Sequence, residues 1–197
     1  MNNIEKTLSY YSKNYSDLIK RYEKSNLSFI QGYLLKILKI DDYILEIGFG
    51  AGREIDFLFK NGFKNLYGVD GCKEFVEYVK KKFKTNNFYY SVLPQMNIPL
   101  KIKFDFIYSI ALWMHLPTEI YEESVKNIVN LLSKNGKVFL SYSLEERDEK
   151  ERYFQQVDEK LLDYLFNKYG LIKIDEFITH DSLNRNINWK NILYGSN

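Results

Sequence analysis

The spacing of apolar residues changes along the chain, and each change marks an element. Between residues 3 and 24, Leu8, Tyr11, Tyr15, Leu18 and Tyr22 recur at steps of three and four, the period of one helix face. A second helix is expected over 27–39, burying Leu27, Ile30, Leu34 and Leu38. Strands and helices then alternate. Tyr43-Ile44-Leu45-Glu46-Ile47 reads as a strand, 53–60 as a helix, 65–70 as a strand and 72–83 as a helix. Short apolar runs at 88–91 and 104–110 read as two further strands. A helix over 118–133 is expected to open on a capping box at Thr118, and Asn135-Gly136 to turn the chain into a strand over 137–143. A helix over 158–168 runs into Gly170 as its C-terminal stop, and 171–179 and 187–194 read as the last two strands. This alternation predicts a mostly parallel sheet with helices on both faces, with ligands at the carboxyl ends of its strands.

Composition narrows the function classes. A chain of 197 residues without repeats or Pro/Gly-rich linkers is expected to form a single domain over 1–197, with a helical lid at 1–40 and the sheet from 41 onward. The 28 basic and 26 acidic residues nearly cancel, which argues against a nucleic-acid or membrane-surface partner. The densest basic run, Lys80-Lys81-Lys82, falls at the end of an expected helix, where the dipole favours cations. Cys72 is the only cysteine, so no internal disulfide or cysteine metal site forms, and the two histidines give no metal signal. The first residues lack an apolar signal core and no apolar run reaches membrane-spanning length, so a cytoplasmic location is expected.

The chemistry concentrates in Glu46-Ile47-Gly48-Phe49-Gly50-Ala51-Gly52-Arg53. Glycines alternate directly after a strand and before a helix. They permit a tight turn and close approach of a ligand to the backbone, while the helix offers unpaired N–H groups. A dinucleotide fingerprint, G-x-G-x-x-G, would need glycine at Arg53, which disfavours an NAD-type oxidoreductase. The pattern present is E-x-G-x-G-x-G. Over about residues 40–145 the chain resembles the class I S-adenosylmethionine (SAM)-dependent methyltransferases of small-molecule type. The resemblance implies a Rossmann-like seven-stranded sheet whose last strand is antiparallel. It implies SAM as cofactor, with S-adenosylhomocysteine (SAH) as product.

Site residues follow from the same resemblance. Glu46 organises the methionine end, and Gly48, Phe49, Gly50 and Gly52 pass beneath the cofactor. Asp70, ending the second strand beside Gly71, either accepts both ribose hydroxyls or caps the following helix. Ser91 stands where many members carry an acid, and Val92 and Leu93 either contact the adenine edge or belong to a plain turn. Ser109 and Ile110 line the cofactor. Trp113 sits near the sulfonium or in the core. His115 serves as a general base for the acceptor or braces a loop. The (Asn/Asp)-Pro-Pro-aromatic motif of nucleic-acid amino-methyltransferases is absent from this stretch, so no nucleic-acid partner is expected.

The two ends supply candidate acceptor contacts. Tyr11, Tyr15 and Tyr22 match the lid helix of related enzymes, or simply pack an amphipathic face. Asp181-Ser182-Leu183-Asn184-Arg185 with Trp189 resembles one bacterial subgroup, and Arg185 suits an acidic acceptor or the ordering of its loop. The expected activity is methyl transfer to an O or N atom of a small-molecule acceptor, by a monomer or homodimer. A non-catalytic SAM-binding protein is the alternative.

Overall fold

A computed structural model describes residues 2–24, 27–99, 101–147, 149–181 and 186–196. Two helices, α1 (Asn3–Lys24) and α2 (Ser28–Ile37), precede the sheet. There follow β1 (Ile44–Ile47), α3 (Arg53–Lys60), β2 (Leu66–Asp70), α4 (Lys73–Phe83), β3 (Phe88–Tyr90) and β4 (Phe104–Ile110). The chain continues through α5 (Tyr121–Leu131), β5 (Leu132–Ser143), α6 (Glu159–Lys168), β6 (Ile172–His180) and β7 (Asn188–Gly195).

The seven strands form one sheet in the order β3-β2-β1-β4-β5-β7-β6. Strands β1 to β5 are parallel, and β7 runs antiparallel between β5 and β6. This is the class I methyltransferase arrangement of a Rossmann-like sheet. Both faces are covered, so consecutive strand residues enter opposite cores. In β5, Val138 and Leu140 join α5 and α6, whereas Phe139 points to the side of α2, α3 and α4. Ile107 and Tyr108 of β4 divide in the same way. Strand order reverses at β1, which pairs with β2 on one side and β4 on the other. The crevice outside the carboxyl ends of β1 and β4 is the ligand position that such a reversal creates.

Two local expectations fail. No side chain caps the start of α5: Thr118–Ile120 forms a single 3₁₀ turn, and the α-helix begins only at Tyr121. Asn135-Gly136 is not a turn either. β5 already begins at Leu132, which pairs with Phe104 across an irregular register, and Gly136 lies inside the strand. A Cβ on Gly136 would stand 2.8 Å from the Phe104 carbonyl oxygen, so glycine serves close backbone approach there. The stop at Gly170 holds. Its φ of +88° and the bonds Gly170 N–H to Asn167 and Leu171 N–H to Phe166 close a Schellman motif.

Candidate active site

The turn after β1 is built on left-handed backbone. Gly48, Gly50 and Gly52 have φ values of +75°, +53° and +68°, a region costly to residues bearing a Cβ. Hydrogen bonds fix its course: Gly48 N–H donates to the Val69 carbonyl at 2.8 Å, and Gly52 N–H to that of Phe49 at 2.9 Å. Asp70 completes the frame. Its Oδ2 accepts from Gly50 N–H at 2.8 Å and its Oδ1 from Cys72 N–H at 2.7 Å. The carboxyl thus ties the end of β2 to the glycine turn and to the start of α4. Burial raises its pKa to about 6, against the opposing pull of those two donors.

A second acid lies beneath the turn. Glu46 is buried, and its Oε2 accepts from the Tyr108 hydroxyl at 2.8 Å. Burial raises its pKa well above the usual range, and the neighbouring charge of Glu54 adds to the effect. Glu54 is also buried and pairs with Arg53 Nε at 2.6 Å. Two carboxyls and one guanidinium therefore share the floor, an arrangement that favours arrival of a further cation.

α1 roofs the turn. A Cβ on Gly50 would meet the Tyr22 ring at 3.3 Å, and one on Gly71 would meet Leu8 Cδ2 at 2.6 Å. Ser12 donates to Glu74 of α4 at 2.6 Å, and Tyr11 packs on Phe75 with ring centroids 6.3 Å apart. Between roof and floor lies a cavity of about 210 Å³. Glu46, Gly48, Phe49, Gly50, Asp70, Gly71, Val92, Leu93 and Ile110 line it, together with Tyr11, Tyr22 and His115. Ala111 lines it too, with φ at +59°, a strained conformation of the kind that clusters at ligand sites.

The far wall comes from the segment between β5 and α6. Arg152 donates from Nη2 and Nε to Glu149, at 2.9 and 3.2 Å, and from Nη1 to the Tyr11 hydroxyl at 2.8 Å. Arg147 lies over the Phe154 ring, 5.1 Å from its centroid. The Tyr153 N–H donates to Thr7 Oγ1 at 3.1 Å, joining this segment to α1. His115 is the link between the walls. Its Nδ1 lies 2.8 Å from the Tyr153 carbonyl, an acceptor, so Nδ1 carries the proton and Nε2 does not. Burial, with Arg152 next in weight, lowers its pKa to about 4, so the ring is neutral at pH 7.

Four expected site residues lie away from the cavity. Trp113 is fully buried in the core: its indole N–H donates to Ser109 Oγ at 3.0 Å and its ring meets Tyr121 edge-on. Ser109 is turned into the same core by that bond. Tyr15 lies on the solvent side of α1, 38% exposed. Gly52 shapes the turn but does not line the cavity; a Cβ there would press on Val79 and Phe83. Arg185 lies outside the described residues. Asp181 accepts from Trp189 Nε1 at 3.4 Å, and exposed His180 contacts Asn188 at the open end of the β6–β7 pair.

Sequence reasoning missed Glu54, Tyr108, Arg147 and Arg152. Glu54 and Tyr108 sit at apolar-looking positions of α3 and β4 without a motif. Arg147 and Arg152 sit in an irregular segment whose only signal was its charge. No metal-binding cluster of His, Cys, Asp or Glu occurs among the described residues, nor is any helix there long and apolar enough to cross a membrane.

A family model described as a methyltransferase domain matches residues 45–140, the span from β1 to the middle of β5. No curated protein sequence matches the chain. Solved structures do. The chain is similar to magnesium protoporphyrin IX methyltransferase from Synechocystis with bound SAH, at 16% identity and a TM-score of 0.73, covering 96% of this chain and 97% of that one. It is similar to 1,6-didemethyltoxoflavin-N1-methyltransferase from Burkholderia thailandensis, at 15% identity and a TM-score of 0.74, covering 96% and 86%. A TehB-like SAM-dependent methyltransferase from Corynebacterium glutamicum matches at 18% identity and a TM-score of 0.73, covering 95% and 98%. With its glycine turn inside the matched span and its strands in the order 3-2-1-4-5-7-6, the chain carries a methyltransferase domain over residues 45–140 within a class I, Rossmann-like fold.

Proposed function

We propose that the protein binds SAM in the cavity beneath α1 and transfers its methyl group to an O or N atom of a small-molecule acceptor. The observation that carries this reading is the convergence of three groups on one cavity: the left-handed glycine turn, the Asp70 carboxyl and the buried Glu46. Their donor chemistry fits the cofactor. Asp70 presents a carboxyl to ribose hydroxyls, while Glu46 and Glu54 favour the α-ammonium. Val92 and Leu93 offer an apolar edge to the adenine, and Ile110 borders the reacting end. SAM supplies an already activated methyl on its sulfonium. The chain's own task is then to position the acceptor and exclude water. The SAH-bound methyltransferase from Synechocystis and the Burkholderia enzyme, with bound 1,6-didemethyltoxoflavin and SAH, support the reading by likeness of fold.

α1 is read as a lid within a single domain. The cavity of about 210 Å³ is small beside the roughly 300 Å³ and upward usual for ligand pockets. Tyr22 and Leu8 occupy the space over Gly50 and Gly71, so admission of the cofactor requires α1 to give way. The test is calorimetric titration with SAH and with NAD⁺, followed by turnover of SAM on an acceptor library. Saturable SAH binding without NAD⁺ binding supports the cofactor reading. SAH binding without turnover on any acceptor would favour a non-catalytic SAM-binding protein.

A further inference from the structure

A SAM-type cofactor ends in an amino acid whose two charges sit on one carbon. The floor of the cavity answers one of them. Glu46 and Glu54 stand against the single guanidinium of Arg53, so an arriving ammonium completes the balance. The carboxylate beside it then approaches two acids and needs a cation of its own. Four arginines line the cavity: Arg21, Arg53, Arg147 and Arg152. Arg53 is bound to Glu54 at 2.6 Å and, through Nη1, to the Tyr22 carbonyl at 3.3 Å. Arg152 is held by Glu149 and the Tyr11 hydroxyl. Arg147 belongs to the far wall, where it lies over Phe154 and is engaged further. Arg21 alone of the four has neither a hydrogen bond nor an ion pair among the described residues. Asp17, one turn before it on α1, pairs instead with Lys20 at 3.2 Å.

Arg21 also stands at the right end of the cavity. The bond from Arg53 to the Tyr22 carbonyl fastens the last turn of α1 to the acidic floor, and Arg21 is the next residue along. The Tyr22 ring lies over Gly50. Burial raises the Tyr22 pKa, and Arg152 and Arg21 are the two cations that oppose it, so the charge of Arg21 reaches the same space. Its side chain is exposed at the rim, where an unpaired guanidinium stays hydrated until a ligand arrives. A guanidinium fork matches a carboxylate with two parallel N–H bonds. We propose that Arg21 binds the α-carboxylate of the cofactor, so that α1 closes on the amino-acid end and the site discriminates against ligands that lack this group. The inference rests on the SAM-binding reading above.

The test titrates three ligands into the full-length protein by calorimetry: SAH, decarboxylated SAH, which keeps the ammonium, and methylthioadenosine, which lacks both charges. The wild-type protein should bind SAH more tightly than decarboxylated SAH by about tenfold or more. Arg21→Met should remove that difference. It should weaken SAH by about tenfold while decarboxylated SAH and methylthioadenosine bind as before, with the melting temperature unchanged because the side chain is exposed. Arg21→Lys should restore part of the loss, since an ammonium keeps the charge without the fork. Equal binding of SAH and its decarboxylated form by the wild-type protein, unaltered SAH affinity in Arg21→Met, or equal weakening of all three ligands would each overturn the proposal while leaving the cofactor reading in place. Failure of SAH to bind the wild-type protein would overturn both, and is seen in the first titration.

Discussion

Burial and two backbone donors act on Asp70 in opposite directions, and burial prevails. Its pKa of about 6 in the folded protein exceeds the ordinary value of 3.8, so the fold binds a proton that the unfolded chain releases. That contribution to stability, about 3 kcal/mol, is fully present below pH 4 and lost as pH rises through 6. Cofactor binding has the reverse dependence, because ribose hydroxyls donate to the ionised form. SAH affinity should therefore fall as pH drops through about 6, with protonation of Glu46, whose pKa is also raised, adding to the loss, measured by calorimetry in matched buffers; a flat profile down to pH 5 would remove Asp70 from the ribose. Asp70→Ala should also cost about 2–4 kcal/mol of stability, since the Gly50 and Cys72 N–H groups lose their charged acceptor. His115 has the opposite sign. Its folded pKa of about 4 lies below 6.5, so its contribution is present above pH 6.5 and lost as pH falls through 4. A group so hard to protonate is a weak base. We read His115, through its contact with the Tyr153 carbonyl, as a brace for the cavity wall rather than the general base, and on that reading His115→Ala should lower kcat by less than about tenfold while lowering the melting temperature. A loss in the general-base range of roughly 10²–10⁴ at unchanged stability would contradict the bracing role.

At the scale of elements, the glycine turn and α1 act as one unit. Gly50→Val places a branched side chain at a φ of +53° and against Tyr22, so SAH binding should be lost while the sheet stays folded. Circular dichroism checks the fold and calorimetry the binding; a folded variant of normal affinity would show that the turn is not the site. Deleting α1 is a poor test of the lid, because Leu18 belongs to the core of α2, α3 and α4. Tyr22→Ala is cleaner, since it opens the space over Gly50 and leaves Leu18 in place. It should speed SAH dissociation by about tenfold, equivalent to roughly 1.4 kcal/mol of lost cover, with a smaller change in melting temperature. Stopped-flow displacement measures the rate, and an unchanged rate would mean that α1 is static. The spacing of Tyr11 and Tyr22 in the sequence placed them on one helix face but did not tell cover from core. The structure puts both over the cavity, while Tyr15, at the intermediate step of the same pattern, turns to solvent.

For the molecule as a whole, what was legible in the sequence was what local chemistry dictates. Three alternating glycines after a strand, an acid two residues ahead and another at the end of the next strand carry their meaning wherever the chain folds. The helix and strand periods likewise located every element to within a few residues, except where tertiary contact overruled a local signal. Asn135-Gly136 has the chemistry of a turn, yet pairing of Leu132 with Phe104 draws it into β5. Ser109, near the end of β4, and Trp113, just after it, read as site residues, yet their mutual hydrogen bond satisfies both inside the core. Arg147 and Arg152 reach the cavity only because an irregular segment folds back onto α1, which no period announces. The central claim is that this fold holds a SAM-type cofactor between Asp70, Glu46 and α1. Its most direct test is calorimetric titration of the wild-type protein with SAH at pH 7.5. One site per chain with a dissociation constant on the order of micromolar, about −8 kcal/mol, is the predicted result. No detectable heat or protection against thermal unfolding at millimolar SAH, in a protein shown to be folded, would contradict it.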